Sequence, residues 1–162
     1  LSLDADERLS EDLLKNIERL PLSNERLGFA FNRKSFLLGK PIHFSGWNPD
    51  WVVRLVNRKY AQFTDDVVHE KLSGPIQIQK VRGRLLHYSY QSPADIARKT
   101  QLYGFLAQKT RVRLKNRQLA SAWSFVRTYI LRLGFLDGKP GLQIALMNAK
   151  TTWIKYRREQ LK

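Results

Sequence analysis

The sequence has no cysteine and a single methionine. The missing thiols exclude disulfides and thiolate metal sites, and they agree with a reducing compartment such as the cytoplasm. Long apolar runs are missing as well. Uncharged stretches such as 118–126 and 142–149 are less than half of the roughly 20 apolar residues needed to span a bilayer. No signal peptide is visible. There is no initiating Met: the chain opens on Leu1-Ser2-Leu3 and runs straight into Asp4-Ala5-Asp6-Glu7, which reads as the buried end of a strand entered in mid-fold. Acidic residues are scarce, but only in one half. Residues 1–80 hold 12 Lys/Arg and 11 Asp/Glu, whereas residues 81–162 hold 17 and 3.

What is present points to a globular chain with an anionic partner. Hydrophobic residues make up 43% of the 162 and the net charge is +15, enough apolar material for a core and a strong positive field around it. The halves carry net charges of +1 and +14, so the basic surface belongs to the second.

Local patterns divide the chain in the same way. Ser10 is placed to cap a helix, with Glu11 and Asp12 in the first turn, Leu13, Leu14, Ile17 and Leu20 at helical spacing, and Pro21 as the stop. Residues 27–42 are strand-like, with Phe29, Phe31, Phe36 and Leu38 as core candidates and Gly39-Lys40-Pro41 as punctuation. Gly46-Trp47-Asn48-Pro49-Asp50 is a turn, and residues 51–56 and 83–90 are further strands. Thr64-Asp65-Asp66 can cap a short helix through Leu72. Ser92-Pro93 starts a helical region in three pieces: 93–115, then 117–133 with Leu119, Trp123, Val126, Ile130 and Leu133 on one face, then a helix carrying Leu142, Ala145, Ala149, Trp153 and Tyr156 after the break at 134–141. The reading is a mixed α/β part, residues 1–91, followed by a basic amphipathic helical extension, residues 92–162.

Four groups of residues have the chemistry for a site. Asp4 and Asp6, one residue apart on an extended segment, face the same side and supply hard oxygen ligands suited to Mg²⁺ or Mn²⁺. The alternative is a solvated acidic loop. Asp65, Asp66, His69 and Glu70 offer general bases, or simply a helix cap and a solvated helix surface. His87, in Leu86-His87-Tyr88-Ser89-Tyr90, is either a hydrogen-bonded core imidazole or a metal ligand. The basic segments 111–117 and 155–158 lie near Trp123, Tyr129, Trp153 and Tyr156. They suit an anionic membrane surface or nucleic-acid phosphates, while the apolar stripe beside them can pack internally.

Five segments in order resemble the family 2 glycosyltransferases of the GT-A fold, in the branch that adds β-1,4-linked glucose to the heptose of the lipopolysaccharide inner core. They are Leu3-Asp4-Ala5-Asp6-Glu7-Arg8-Leu9; Gly46-Trp47-Asn48-Pro49-Asp50 followed by Val53-Arg54-Leu55-Val56; Val68-His69-Glu70; Leu86-His87-Tyr88-Ser89-Tyr90; and Gly134-Phe135-Leu136-Asp137-Gly138-Lys139-Pro140-Gly141. The resemblance implies an α/β fold: the C-terminal part of a GT-A, Rossmann-like domain without its nucleotide-binding N-terminal half, followed by the helical tail. It implies that Asp4 and Asp6 bind the donor, UDP-glucose by the likeness, through a divalent cation, with His87 as a further metal or diphosphate contact. Glu70 becomes the catalytic base with Asp66 in reserve, and Trp47, Asp50 and His69 line the acceptor side. The implied acceptor is lipid A-core at the cytoplasmic face of the bacterial inner membrane, a peripheral position that suits the positive charge, and no nucleic acid is expected. A polypeptide lacking the nucleoside-holding half is expected to be inactive by itself. The rival readings are a nucleic-acid-binding module and a non-catalytic membrane-docking protein.

Overall fold

The computed structural model describes residues 1–63, 72–107 and 116–156. It contains strands β1 (Glu7–Leu9), β2 (Leu27–Leu37), β3 (Lys40–Pro41), β4 (Trp51–Leu55), β5 (Gln62–Phe63), β6 (Leu72–Ser73) and β7 (Gln77–Tyr90), and helices α1 (Glu11–Ile17), α2 (Pro93–Leu106), α3 (Arg117–Val126) and α4 (Lys139–Lys155). These fall into two compact units, residues 1–35 with 49–89 and residues 36–48 with 90–162. The class is mixed α/β. The segment 36–48 clusters with the helices rather than with the strand-rich part.

In the first unit β7 lies between β1 and β2, and β4 pairs with β2. The β1–β7 and β2–β4 pairings are antiparallel. Side chains alternate across a strand, and one face of this sheet collects Leu9, Leu27, Phe29, Phe31, Val52, Val81 and Leu85 into a core completed by Leu13, Ile17 and Leu20 from the α1 segment. Phe31, Leu13 and Leu85 have no exposed surface, and full burial of such a side chain stabilises the fold by about 1.5–3 kcal/mol. Ser10 caps α1 as its sequence position requires, its hydroxyl accepting from the Leu13 amide at 3.2 Å. Gly83 makes the contact with β7 possible. Its φ is +109°, and a Cβ there would lie 2.5–2.7 Å from Leu13 atoms, so any side chain would force α1 off the sheet.

Three expectations change here. Leu1 and Leu3 are not strand residues: they are 56% and 39% exposed, and the first strand begins at Glu7, after the aspartates. The Asp4-Ala5-Asp6 segment is therefore a turn, closed by the Glu7 amide donating to the Asp4 carbonyl at 3.0 Å, and the same-side argument for an extended segment does not apply to it. Phe36 and Leu38 are only partly buried, and Leu37 takes the core position. The helix expected from Thr64 lies outside the described residues except for its end, where Leu72–Ser73 is a strand paired with Gln62–Phe63.

In the second unit, Leu37, Ile42, Ile144 and Met147 form the core, with Leu38, Trp47, Tyr90 and Ile96 packed on it. β3 closes a hairpin on the end of β2, pairing Phe36 with Pro41 and Leu37 with Lys40. Ser92 caps α2 with Pro93 at its first turn. α3 passes into a π-helical turn, Arg127–Leu131, and a 3-10 turn, Gly134–Asp137, leads into α4. The expected apolar stripe does not pack internally: Leu119, Trp123, Val126, Ile130 and Leu133 are all exposed, at 38% to 68%. Among the described residues no helix is long and apolar enough to cross a membrane.

Candidate functional site

The core face of the first sheet changes character along its strands. On β2 the alternation Phe29, Phe31 continues as Arg33, Ser35, and on β7 Val81, Leu85 continues as His87, Ser89. In the β1–β7 register Leu9 faces Leu85 and Glu7 faces His87. Period-2 geometry thus carries one row of side chains from the apolar core into a charged cluster.

Glu7 is at its centre, with no exposed side-chain surface. Oε1 of Glu7 lies 2.7 Å from a guanidinium nitrogen of Arg54 and 3.6 Å from one of Arg33. The same Arg54 nitrogen also pairs with Asp4, whose side chain is 52% exposed. Arg33 grips Asp50 through two nitrogens, Nε at 2.8 Å and a terminal nitrogen at 2.7 Å from Oδ2. Both nitrogens converge on that one oxygen, a two-donor contact from a planar group that a lysine could not reproduce. Burial works against the charge on Arg54, but its hydrogen bond and attraction to Glu7, joined by Asp4, outweigh that and raise its pKa.

His87 stands beside this network. Its Nδ1 is 2.8 Å from the Ser89 hydroxyl and 3.2 Å from that of Ser35, and its Nε2 is 3.5 Å from Asp6. Burial, and then the positive charge of Arg33, lower its pKa below the ordinary value, against the pull of Asp6, Glu7 and Asp4. The imidazole is therefore neutral at physiological pH. The two serine hydroxyls can accept from a proton on Nδ1 or donate to its lone pair, and Nε2, 3.3 Å from the Ser89 hydroxyl, lies on the side of Asp6.

Four carboxylates, Asp4, Asp6, Glu7 and Asp50, thus gather around two guanidiniums, Arg33 and Arg54, and a neutral imidazole. The formal charge of the cluster is −2 in a chain of +15. Among the described residues no three Asp, Glu or His side chains close a metal cage. The donor set still suits a hard divalent ion of the Mg²⁺ type, which takes one or two protein ligands and completes its shell with water and substrate phosphates. Asp6 is the carboxylate nearest the His87 ring, at 3.5 Å from Nε2.

Of the residues expected from sequence, Asp4, Asp6, Asp50 and His87 come together in this cluster. Trp47 belongs to the second unit, where its ring stacks on Tyr90 with centroids 5.9 Å apart. Asp66, His69 and Glu70 lie outside the described residues. Glu7, Arg33, Arg54, Ser35 and Ser89 had no expected role. Their signal was in the sequence nonetheless, as polar residues continuing an apolar alternation of period two.

Among curated proteins, an uncharacterized glycosyltransferase of Rickettsia prowazekii (strain Madrid E) is 28% identical over 177 aligned residues, covering 96% of this chain and 59% of the relative. The chain thus spans less than two thirds of that relative's length. No protein-family model matches the chain, and no solved structure does. That relative's name gives glycosyl transfer, with no branch, sugar or metal.

Proposed function

We propose that the chain carries the acceptor-side part of a family 2, GT-A glycosyltransferase of the lipopolysaccharide-core branch, moving glucose from UDP-glucose to the inner core with inversion. The observation that carries this is the gathering of Asp4, Asp6, Glu7 and Asp50 around Arg33, Arg54 and His87, in a basic chain whose curated relative is called a glycosyltransferase. A divalent cation, which favours carboxylate oxygens, would add to the counter-charge that the two arginines supply.

Asp6 and His87 are the residues that would hold the cation, with Asp4 beside them, and the bound ion would supply Lewis-acid neutralisation of the departing diphosphate. Glu7 and the two arginines position these groups: Arg54 fixes Asp4, and Arg33 fixes Asp50, which then presents a pre-oriented acceptor to a sugar hydroxyl. Trp47 and His69 keep acceptor-side roles in the same proposal. Glu70, with Asp66 in reserve, takes the proton of the attacking hydroxyl, a step that contributes about 10²–10⁴-fold.

The test is transfer of labelled glucose from UDP-glucose to a lipid A-core acceptor by the complete protein, with Mg²⁺ or Mn²⁺, compared with its Asp6→Asn variant. Transfer that falls well below the parent rate in the variant at limiting cation, with an unchanged melting curve, is the expected result. A variant that transfers at the parent rate removes Asp6 and the cation site from the reaction.

A further inference from the structure

We propose that the face of α3 turned away from α4 is a docking surface for an anionic lipid bilayer, which it enters only to interfacial depth. The inference is independent of the glycosyl-transfer reading and concerns the second unit alone.

The side of α3 that packs on α4 is marked by three contacts. The Ser121 hydroxyl donates to the Ala149 carbonyl at 2.8 Å, Asn148 donates to the Thr128 hydroxyl at 3.1 Å, and the Arg117 guanidinium sits 4.1 Å above the Trp153 ring. At 3.6 residues per turn, positions 117, 121 and 128 share one side of the helix, and 119, 123, 126 and 130 fall on the other. That second side reads Leu119, Trp123, Val126, Ile130, with 68%, 58%, 38% and 49% of each residue exposed. A helix of a globular domain ordinarily presents polar residues there. Phe135 and Leu136, 45% and 54% exposed, add apolar surface just beyond. An exposed apolar stripe of this kind marks an interaction site.

Charge decides the occupant. The 4-3-4 spacing of the stripe would also suit a helix from a second copy, but the unit has only three acidic residues in its sequence, Asp95, Asp137 and Glu159. Asp95 is engaged by Arg98 and Lys99, and Asp137 by the amides and hydroxyl of the 43–45 loop. A second copy would therefore bring cations against cations. Arg127, exposed on the flank of the stripe, instead meets phosphate-bearing headgroups, and a basic residue so placed strengthens attachment to an anionic surface. Trp123 has the ring that favours the headgroup boundary. With an apolar side, a basic residue on its flank and no spanning helix among the described residues, α3 has the properties of a helix lying in the interface plane.

The experiment is sedimentation of the full chain with vesicles of phosphatidylcholine, and of phosphatidylcholine mixed with phosphatidylglycerol, for the parent and for Trp123→Gln and Leu119→Gln. Both positions are exposed, and circular dichroism checks that each variant folds. Binding to the mixed vesicles, weak on phosphatidylcholine alone and reduced about tenfold by either substitution, is the expected outcome, since each removes an apolar group from the boundary. Three results overturn the proposal: no binding to the mixed vesicles, binding that neither substitution changes, or light scattering that shows a dimer dissolved by Trp123→Gln.

Discussion

Arg54 and Glu7 form a buried ion pair at 2.7 Å, in which the carboxylate has no exposed side-chain surface and the guanidinium side chain only 13%. Such a pair contributes little over an apolar replacement of both partners, but removal of one leaves a buried charge unanswered, at a cost of about 3–5 kcal/mol. Arg54→Met is therefore expected to destabilise the first unit toward the low end of that range, because Arg33, 3.6 Å from the same oxygen, remains. Glu7→Gln in the Arg54→Met background should recover much of the loss. Urea unfolding of the parent, both single variants and the double variant gives the coupling directly. Additive losses would show that the two side chains do not depend on each other.

His87 gives the fold a pH dependence whose sign can be worked out. Its pKa in the folded chain is lowered by burial and by Arg33, while in the unfolded chain it returns to about 6.5. Above that value both states are neutral at His87, and the contribution to stability is fully present. As pH falls below it, the unfolded chain takes up a proton that the folded chain still refuses, so stability declines until the folded pKa is passed. Melting temperature measured in chelator-containing buffer is expected to fall between about pH 7 and 5, and His87→Gln should flatten that part of the curve. An equal slope in the variant would place the titration elsewhere.

Asp137 illustrates a polar residue whose importance is structural. Its carboxylate accepts from the amides of His43 at 2.9 Å and Phe44 at 3.1 Å and from the hydroxyl of Ser45, a fully buried residue, at 2.9 Å. Asp137→Ala strands these donors together and is expected to cost about 2 kcal/mol or more. Ser45→Ala removes a single donor and should cost less. Thermal unfolding of the two variants tests the order, and a larger loss in Ser45→Ala would reverse the assignment.

Much of this was legible in the sequence because it depends on local rules. Ser10 and Ser92 cap helices where their hydroxyls precede acidic first turns, and Phe29 and Phe31 are buried on the parity their alternation gives. The 4-3-4 stripe of α3 also has the expected periodicity. What periodicity does not give is the partner of a face: the α3 stripe has the pattern of a core and lies in solvent, since α4 packs on the opposite side through Ser121 and Thr128. The strand expected at Leu1 to Leu3 shifted for a similar reason. The pairing of Glu7 with His87 and Leu9 with Leu85 is a long-range choice, and it starts the strand after the aspartates. Arg33 and Arg54 went unassigned because a charged residue in a strand gives no sign of the carboxylates that distant segments bring to it.

The separate roles proposed for Asp6 and Glu70 predict different kinetic signatures in the complete protein. Asp6 lies 3.5 Å from His87 Nε2, so Asp6→Asn is expected to act through the cation, raising the Mn²⁺ concentration needed for half-maximal transfer, with partial rescue at high Mn²⁺. Glu70→Gln leaves the charge of the cluster as it is and removes only the proton acceptor, so its Mn²⁺ and UDP-glucose dependence should match the parent while kcat drops by about 10²-fold or more. Initial rates over a matrix of Mn²⁺ and donor concentrations separate the two. A Glu70→Gln variant that instead shifts the Mn²⁺ dependence would make Glu70 a ligand of the cation, and the base would then have to be sought at Asp66.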